Sequence, residues 1–111
     1  MITNPKKIRR FLVVEDELDL ANLIRLHLQD FRADITPVDR GDLALQKALN
    51  EPWDLMILDL RLPGMDGLDV CRELRSRGME FPIMMLAAQS IYHNEMRFNF
   101  HYCYSLGGGA L

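Results

Sequence analysis

Three short, fully apolar runs stand out along the chain, at residues 11–14, 55–58 and 83–86. Uninterrupted runs of this length, flanked by polar residues, are typical of strands that are buried on both faces of a sheet. A further short strand is predicted at residues 34–38, and its proline, Pro37, favours a position at the edge of the sheet.

Helical spacing of apolar residues fills the intervals between these strands, over residues 18–29, 42–50 and 66–77. In the last of these helices, Asp66 is a suitable N-cap and Gly78 a suitable stop. Strands that alternate with helices predict a parallel sheet with helices on both faces. Because such crossovers are right-handed, we expect a doubly wound α/β domain.

The pattern changes near residue 90. Residues 91–111 hold five of the nine aromatic residues and only two charged ones, Glu95 and Arg97. Apolar and polar residues alternate over 98–106, which predicts a strand with one apolar face. The sequence therefore divides into an α/β core at 1–90 and an atypical segment at 91–111, for which natural divergence, an altered reading frame and an engineered terminus all stay open.

The overall composition fits one small globular domain. The chain has 111 residues, a net charge of −3 and two cysteines, which is enough length for one core but too few cysteines for a disulfide scaffold. The negative charge argues against a nucleic-acid surface. No apolar run approaches the length of a membrane span, and the basic start precedes too short an apolar run for a signal peptide. We therefore expect a cytoplasmic protein that contacts neither nucleic acid nor membrane directly.

Acidic residues follow two of the buried strands. Glu15 and Asp16 come directly after the first strand, and Asp59 comes directly after the run at 55–58. One acid in such a place is more often a helix N-cap, but the carboxyl ends of neighbouring parallel strands meet at one edge of the sheet, where ligands bind. Carboxylates that close repel one another unless a proton or a cation lies among them. An all-oxygen set with room for water suits Mg²⁺.

Three stretches resemble a known protein family over residues 8–89 or so: FLVVEDE at 11–17, DLMILDLRLPGMDG at 54–67 and PIMMLAA at 82–88. They closely resemble the receiver domain of bacterial two-component response regulators, and the second stretch is most similar to regulators with a winged-helix output domain. The resemblance implies a flavodoxin-like receiver fold and a cytoplasmic phosphoprotein in phosphorelay signal transduction and transcription regulation. It also implies Mg²⁺ as cofactor and a sensor histidine kinase as partner.

The resemblance implies a role for each residue of the acidic edge, by which we mean the edge of the sheet that carries Glu15, Asp16 and Asp59. Asp59 would be the phosphoacceptor, attacking the phosphorus of a phosphohistidine on the kinase. Asp16 and Asp59 would ligate Mg²⁺, and Glu15 would assist, directly or through water. The backbone carbonyl of Arg61 would be a further ligand. On this interpretation the chain is not an enzyme beyond its own phosphorylation and dephosphorylation.

The loop after Asp59 completes the pattern, but two other positions depart from it. Pro63 and Gly64 would shape that loop so that its backbone groups face the phosphoryl oxygens. Receivers usually carry Thr or Ser where this chain has Ala87, and a lost hydroxyl donor to a charged acceptor costs about 1.5–3 kcal/mol. The family's catalytic lysine is absent, since lysines occur only at positions 6, 7 and 47. Both departures predict impaired switching.

The family's last helix is not recognisable, so we expect a fold that is incomplete at its C-terminus. In the family, the first and last helices cover one face of the sheet together, and an uncovered apolar face tends to be buried by association. We therefore expect a homo-oligomer such as a dimer, with or without exchanged strands. An alternative function is a receiver-like module that dimerises or docks without phosphorylation. A phosphohydrolase with an aspartyl nucleophile is disfavoured, because Arg61 stands where such enzymes place a second aspartate.

Overall fold

The structure is a computed structural model that describes residues 7–90 and 96–102, with side chains for residues 7–86. Strands and helices alternate from the start, as the sequence predicts, and two strands follow the last helix. The elements are β1 (Arg9–Val14), α1 (Leu18–Leu28), β2 (Ala33–Val38), α2 (Gly41–Asn50), β3 (Leu55–Asp59), α3 (Gly67–Ser76), β4 (Ile83–Ser90) and β5 (Met96–Tyr102).

The strands form one sheet in the order β2-β1-β3-β4-β5. Strands β1 to β4 run parallel to one another, which confirms the doubly wound α/β prediction. β2 lies at one edge, as Pro37 predicts. Val14, the last residue of β1, pairs with Leu58 of β3, so Glu15 and Asp16, which follow β1, lie beside Asp59, the last residue of β3.

The main core lies between the sheet and the pair α2 and α3. Alternate strand residues such as Leu12, Met56 and Ile83 point to this side and are fully or almost fully buried. Four residues of α3 are buried against them: Gly67, Val70, Cys71 and Leu74. Apolar burial on this side stabilises the fold.

The ends of α3 follow the predicted signals only in part. Asp66 occupies the N-cap position, but its side chain makes no cap hydrogen bond. At the other end, Gly78 adopts a φ of 79°, and the N–H of Met79 donates to the carbonyl of Leu74 at 3.0 Å. A left-handed glycine with this bond is a common helix stop, so the prediction for Gly78 is confirmed.

The opposite face of the sheet carries α1. Only Leu20 of this helix is buried, whereas Leu18, Leu23 and Leu26 are 72%, 43% and 53% exposed. No other described helix lies on this face of the sheet. Within the described residues, no helix has the length and apolar character that a membrane span requires.

β5 pairs antiparallel with β4, with Ala87 opposite Asn99. Only five residues, 91–95, connect the two strands, and a parallel partner would need a crossover of about a dozen residues or more. The short connection therefore dictates the antiparallel direction, which the alternation at 98–106 did not predict. Residues 103–106 of that alternation lie outside the described residues, and the division of the chain at residue 90 stays a prediction, as does strand exchange.

Candidate functional site

Three carboxyl groups converge at the carboxyl edge of the sheet. Glu15 and Asp16 follow β1 and Asp59 ends β3, and these strands are neighbours in the sheet. One carboxylate oxygen from each of Glu15, Asp16 and Asp59 can be chosen so that the three atoms lie within 4.8 Å of one another. The convergence expected from the sequence is therefore present.

The three acids differ in burial. Glu15 is 5% exposed and Asp59 is 9% exposed, while Asp16 is exposed. The cluster therefore has a protein-lined inner side and a solvent-facing outer side at Asp16. A ligand can reach the acids from solvent and still contact groups that are held in place by the sheet.

Glu15 contributes a buried oxygen that lacks a protein partner. Its Oε1 accepts a hydrogen bond from the backbone N–H of Glu17 at 3.1 Å, whereas Oε2 is buried without a hydrogen-bond partner. Burial, followed by the neighbouring Asp59 carboxyl, raises the pKa of Glu15 to about 8. Buried oxygens without a hydrogen-bond partner are rare because they cost free energy. A cluster of three carboxyl groups that includes such an oxygen fits a hard divalent cation.

The backbone holds Asp59 in place from two sides. The N–H of Arg61 donates to Asp59 Oδ1 at 3.2 Å, and the N–H of Leu60 donates to the carbonyl of Leu86 at 3.2 Å. The second bond joins the end of β3 to β4 at the residue before Ala87. The backbone of Ala87 therefore lies at the acidic edge, on the strand next to Asp59, while its role as the switch position stays a prediction.

The loop between β3 and α3 is held against the start of α2. The carbonyl of Pro63 accepts a hydrogen bond from the N–H of Gly41 at 3.0 Å. Gly64 has a φ of 81° and lies against Asp42, where a Cβ would come within 2.4 Å of Oδ1. The structure thus gives Pro63 and Gly64 a role in fixing the loop, while their role towards phosphoryl oxygens stays a prediction.

Two glycines that the sequence reasoning did not single out also shape the site. A Cβ on Gly67 would lie 2.0 Å from the carbonyl oxygen of Asp59, and a Cβ on Gly41 would lie 1.7 Å from the carbonyl oxygen of Met65. Both glycines let a helix begin in direct contact with the loop. The only sequence feature that could have pointed to these two positions is a glycine at the start of a predicted helix.

A cavity of about 750 Å³ adjoins the acids between α1, the end of β2 and α2. Lys47 of α2 lines it together with Glu15 and Asp16, but the Lys47 ammonium pairs with Glu51 at 3.6 Å. Lys47 was not predicted to lie near the acids. The metal-ligand role of the Arg61 carbonyl remains a prediction.

The model of the response regulator receiver domain family matches residues 11–98. Among curated proteins, the transcriptional regulatory protein ResD of Bacillus subtilis strain 168 is 39% identical over 95 residues, which are 86% of this chain and 38% of ResD. The alkaline phosphatase synthesis transcriptional regulatory protein PhoP of the same strain is 40% identical over 81 residues, or 73% of this chain and 34% of PhoP. The chain thus spans little more than a third of these relatives.

Solved structures give the same result. The response regulator protein TrrA of Thermotoga maritima, in complex with Mg(2+)-BeF, has a TM-score of 0.68 and 36% identity over 78% of this chain and 76% of TrrA. The receiver domain of the sensor histidine kinase PA1611 of Pseudomonas aeruginosa, with a magnesium ion in the active site cleft, has a TM-score of 0.68 and 30% identity, covering 77% and 71% of the two chains. TrrA in complex with the histidine kinase ThkA has a TM-score of 0.67 and 36% identity, covering 78% and 75%.

Proposed function

Because this chain belongs to the response regulator receiver domain family, we propose that Asp59 accepts a phosphoryl group from a sensor histidine kinase. The observation that carries the proposal is the cluster of Glu15, Asp16 and Asp59 around the unpartnered Oε2 of Glu15. The relative TrrA has been solved together with a histidine kinase, which supports the same class of partner for this chain.

Asp59 is the nucleophile in this proposal. Its carboxylate oxygen attacks the phosphorus of the phosphohistidine, the phosphorus–nitrogen bond breaks, and the imidazole leaves. The N–H of Arg61 fixes the carboxylate by its bond to Oδ1, so the group is oriented before the phosphoryl group arrives. A positioned nucleophile avoids part of the entropic cost of the reaction.

Asp16 and Asp59 would hold the Mg²⁺ ion, with Glu15 assisting directly or through water and the carbonyl of Arg61 as a further ligand. The ion would neutralise the negative charge that the attacking carboxylate and the phosphoryl oxygens bring together. Two relatives of known structure contain magnesium, which supports the assignment.

Impaired switching follows from Ala87. Its backbone lies at the acidic edge after Leu86, whose carbonyl accepts the hydrogen bond from Leu60. A methyl group there cannot donate a hydrogen bond to a phosphoryl oxygen, and the sequence offers no lysine in the family's position. Phosphorylation of Asp59 therefore changes the conformation less than it does in a receiver with a hydroxyl at this position.

The remaining proposals concern the chain in the cell. We propose a cytoplasmic phosphoacceptor that is not an enzyme in its own right and contacts no nucleic acid itself. Since its relatives ResD and PhoP are named as transcriptional regulatory proteins, the proposed process is transcription regulation. We also propose that the chain forms a homo-oligomer, because α1 is the only helix on its face of the sheet among the residues that the structure describes.

A second function deserves a test, since Ala87 and the missing lysine favour it. The chain would keep the receiver fold and act by dimerising or docking, without phosphorylation. Under this alternative, Asp59 stays unmodified and the oligomer forms regardless of Mg²⁺.

The deciding experiment is incubation with acetyl phosphate and Mg²⁺ followed by intact-mass measurement. We expect one phosphoryl adduct on the unsubstituted protein, none on Asp59→Asn, and one on the matched control Asp34→Asn, which changes an exposed aspartate of β2. No adduct on the unsubstituted protein would favour the second function, and an adduct that persists in Asp59→Asn would overturn the assignment of the phosphoacceptor to Asp59.

A further inference from the structure

The start of α2 contacts the tip of the β3–α3 loop, which we define as residues 63–65. Arg40 is the N-cap residue of α2, and Gly41 and Asp42 are the first two residues of the helix. The N–H of Gly41 donates to the carbonyl of Pro63 at 3.0 Å. A Cβ on Gly64 would clash with Asp42 Oδ1 and would lie 2.8 Å from Arg40 Nη2. Both side chains therefore lie directly against the backbone of the loop tip.

Arg40 and Asp42 form a bidentate ion pair. Nε of Arg40 donates to Asp42 Oδ1 at 3.1 Å, and Nη2 donates to Oδ2 at 3.2 Å. The N–H of Leu43 also donates to Oδ1, at 3.0 Å, so both carboxylate oxygens accept hydrogen bonds. The hydrogen bond from Arg40 lowers the pKa of the Asp42 carboxyl, and the pair is therefore charged at neutral pH. Bidentate pairs of this kind fix the orientation of both groups.

The base of the same loop belongs to the acidic edge. The N–H of Arg61 donates to Asp59 Oδ1 at 3.2 Å. The N–H of Gly67 donates to the carbonyl of Leu60 at 2.9 Å, and this bond closes the loop at its base. Because Arg61 lies only two residues before Pro63, a shift of the loop tip also moves the peptide groups of Arg61.

We propose that Arg40 and Asp42 are positioning residues for the phosphoacceptor site, because they hold the loop in the conformation in which the Arg61 N–H contacts Asp59. The inference rests on the proposed function, since it concerns the same site. Neither side chain contacts the metal or the phosphoryl group in this proposal. The two side chains are 45% and 52% exposed, and exposed ion pairs add little to global stability. The pair should therefore affect the loop more than it affects the melting temperature.

The first test measures the loop directly, in metal-free protein. Arg40→Gln and Asp42→Asn each break the pair, and we expect the Gly41 N–H to exchange with solvent about threefold faster, because its bond to Pro63 opens more often. The control Glu73→Gln breaks an exposed ion pair of α3, in which Arg77 Nε lies 2.8 Å from Glu73 Oε1, and should leave this exchange rate unchanged. Circular dichroism checks that each variant is folded.

The second test separates positioning from simple charge effects. Arg40→Gln removes a positive charge, so electrostatics alone would tighten Mg²⁺ binding, whereas Asp42→Asn removes a negative charge and would weaken it. Positioning predicts instead that both variants bind Mg²⁺ about threefold more weakly in calorimetric titration. The double variant Arg40→Gln, Asp42→Asn should bind no more weakly than the weaker single variant, because both substitutions break the same pair.

Three results would contradict the proposal. They are an unchanged Gly41 exchange rate in both single variants, tighter Mg²⁺ binding by Arg40→Gln, and losses of affinity that add in the double variant. Neither the exchange rate nor the Mg²⁺ titration depends on phosphorylation. An unsubstituted protein that gains no phosphoryl group from acetyl phosphate would count against the proposed function alone, and the two proposals can therefore fail separately.

Discussion

The carboxyl group of Glu15 is buried beside that of Asp59, and burial first, then this neighbour, raises the pKa of Glu15 to about 8. Near neutral pH the acidic edge therefore holds a proton at Glu15. A proton and a divalent cation are the two ways in which close carboxylates avoid repulsion. We therefore expect a proton to leave the acidic cluster when a metal ion binds there.

In the absence of metal, the free energy of unfolding should fall as the pH rises from 4.5 to about 8. Glu15 has a pKa of 4.5 when unfolded and about 8 when folded, so over this interval the folded state binds more protons than the unfolded state and loses stability as pH increases. Melting temperatures across this range measure the effect. Glu15→Gln should flatten the dependence, while Glu80→Gln, at an exposed position, should keep it. Equal slopes in all three proteins would contradict the assignment to Glu15.

Mg²⁺ should raise the melting temperature more at about pH 9 than at about pH 6, because the protonated Glu15 competes with the metal. Calorimetric titration in buffers of different ionisation enthalpy should detect proton release on binding. Asp16→Ala should abolish most of the stabilisation, since Asp16 is the exposed member of the cluster. Asp34→Asn is the matched control, and an equal loss in both variants would point to non-specific charge screening.

Gly67→Ala should impair both stability and phosphorylation. The new Cβ would lie 2.0 Å from the carbonyl oxygen of Asp59, so the start of α3 must move away from the phosphoacceptor at a cost of about 1–3 kcal/mol. Denaturant unfolding and the rate of labelling by acetyl phosphate measure the two effects.

The control for this substitution is Gly78→Ala. Gly78 has a positive φ, and a Cβ there would meet no atom within 4 Å. Strain at this helix stop should cost about 1 kcal/mol but leave the labelling rate unchanged. A labelling rate that falls equally in both variants would mean that stability alone governs phosphorylation.

Ala87→Thr should strengthen the conformational response to phosphorylation. A hydroxyl at this position could donate to a phosphoryl oxygen, and such a bond to a charged acceptor is worth about 1.5–3 kcal/mol. Amide chemical shifts before and after phosphorylation should change over a wider region than in the unsubstituted protein. Ala88→Thr, which adds the same hydroxyl one residue further along β4, is the control and should have no such effect.

The acidic edge could be predicted because it depends on strand order alone. Apolar runs identify β1 and β3, and acids directly after them must meet if these strands are neighbours. The start of β1 at Arg9 could not be read in the same way, because it depends on partners distant in sequence. The N–H of Arg10 donates to Asp54 Oδ2 at 2.8 Å, and the Arg10 guanidinium stacks over Trp53 at 4.4 Å.

The glycine contacts were equally out of reach of pattern reasoning. Gly41 and Gly67 matter because a Cβ at either position would lie 2.0 Å or less from a backbone oxygen of another residue. These close approaches arise only once the loop and the helices have packed. The direction of β5 is a different case. The length of the β4–β5 connection decides it, but the end of β4 at Ser90 has to be known first.

The short connection between β4 and β5 also bears on the order in which the sheet assembles. β5 pairs with its neighbour in sequence, whereas every parallel pair in the sheet joins strands separated by a helix or more. Local hairpins close on the microsecond timescale, and contacts of long sequence separation form later. We therefore expect β4 to pair with β5 before it joins β3, so that the register of the strand carrying Ala87 is set from its C-terminal neighbour.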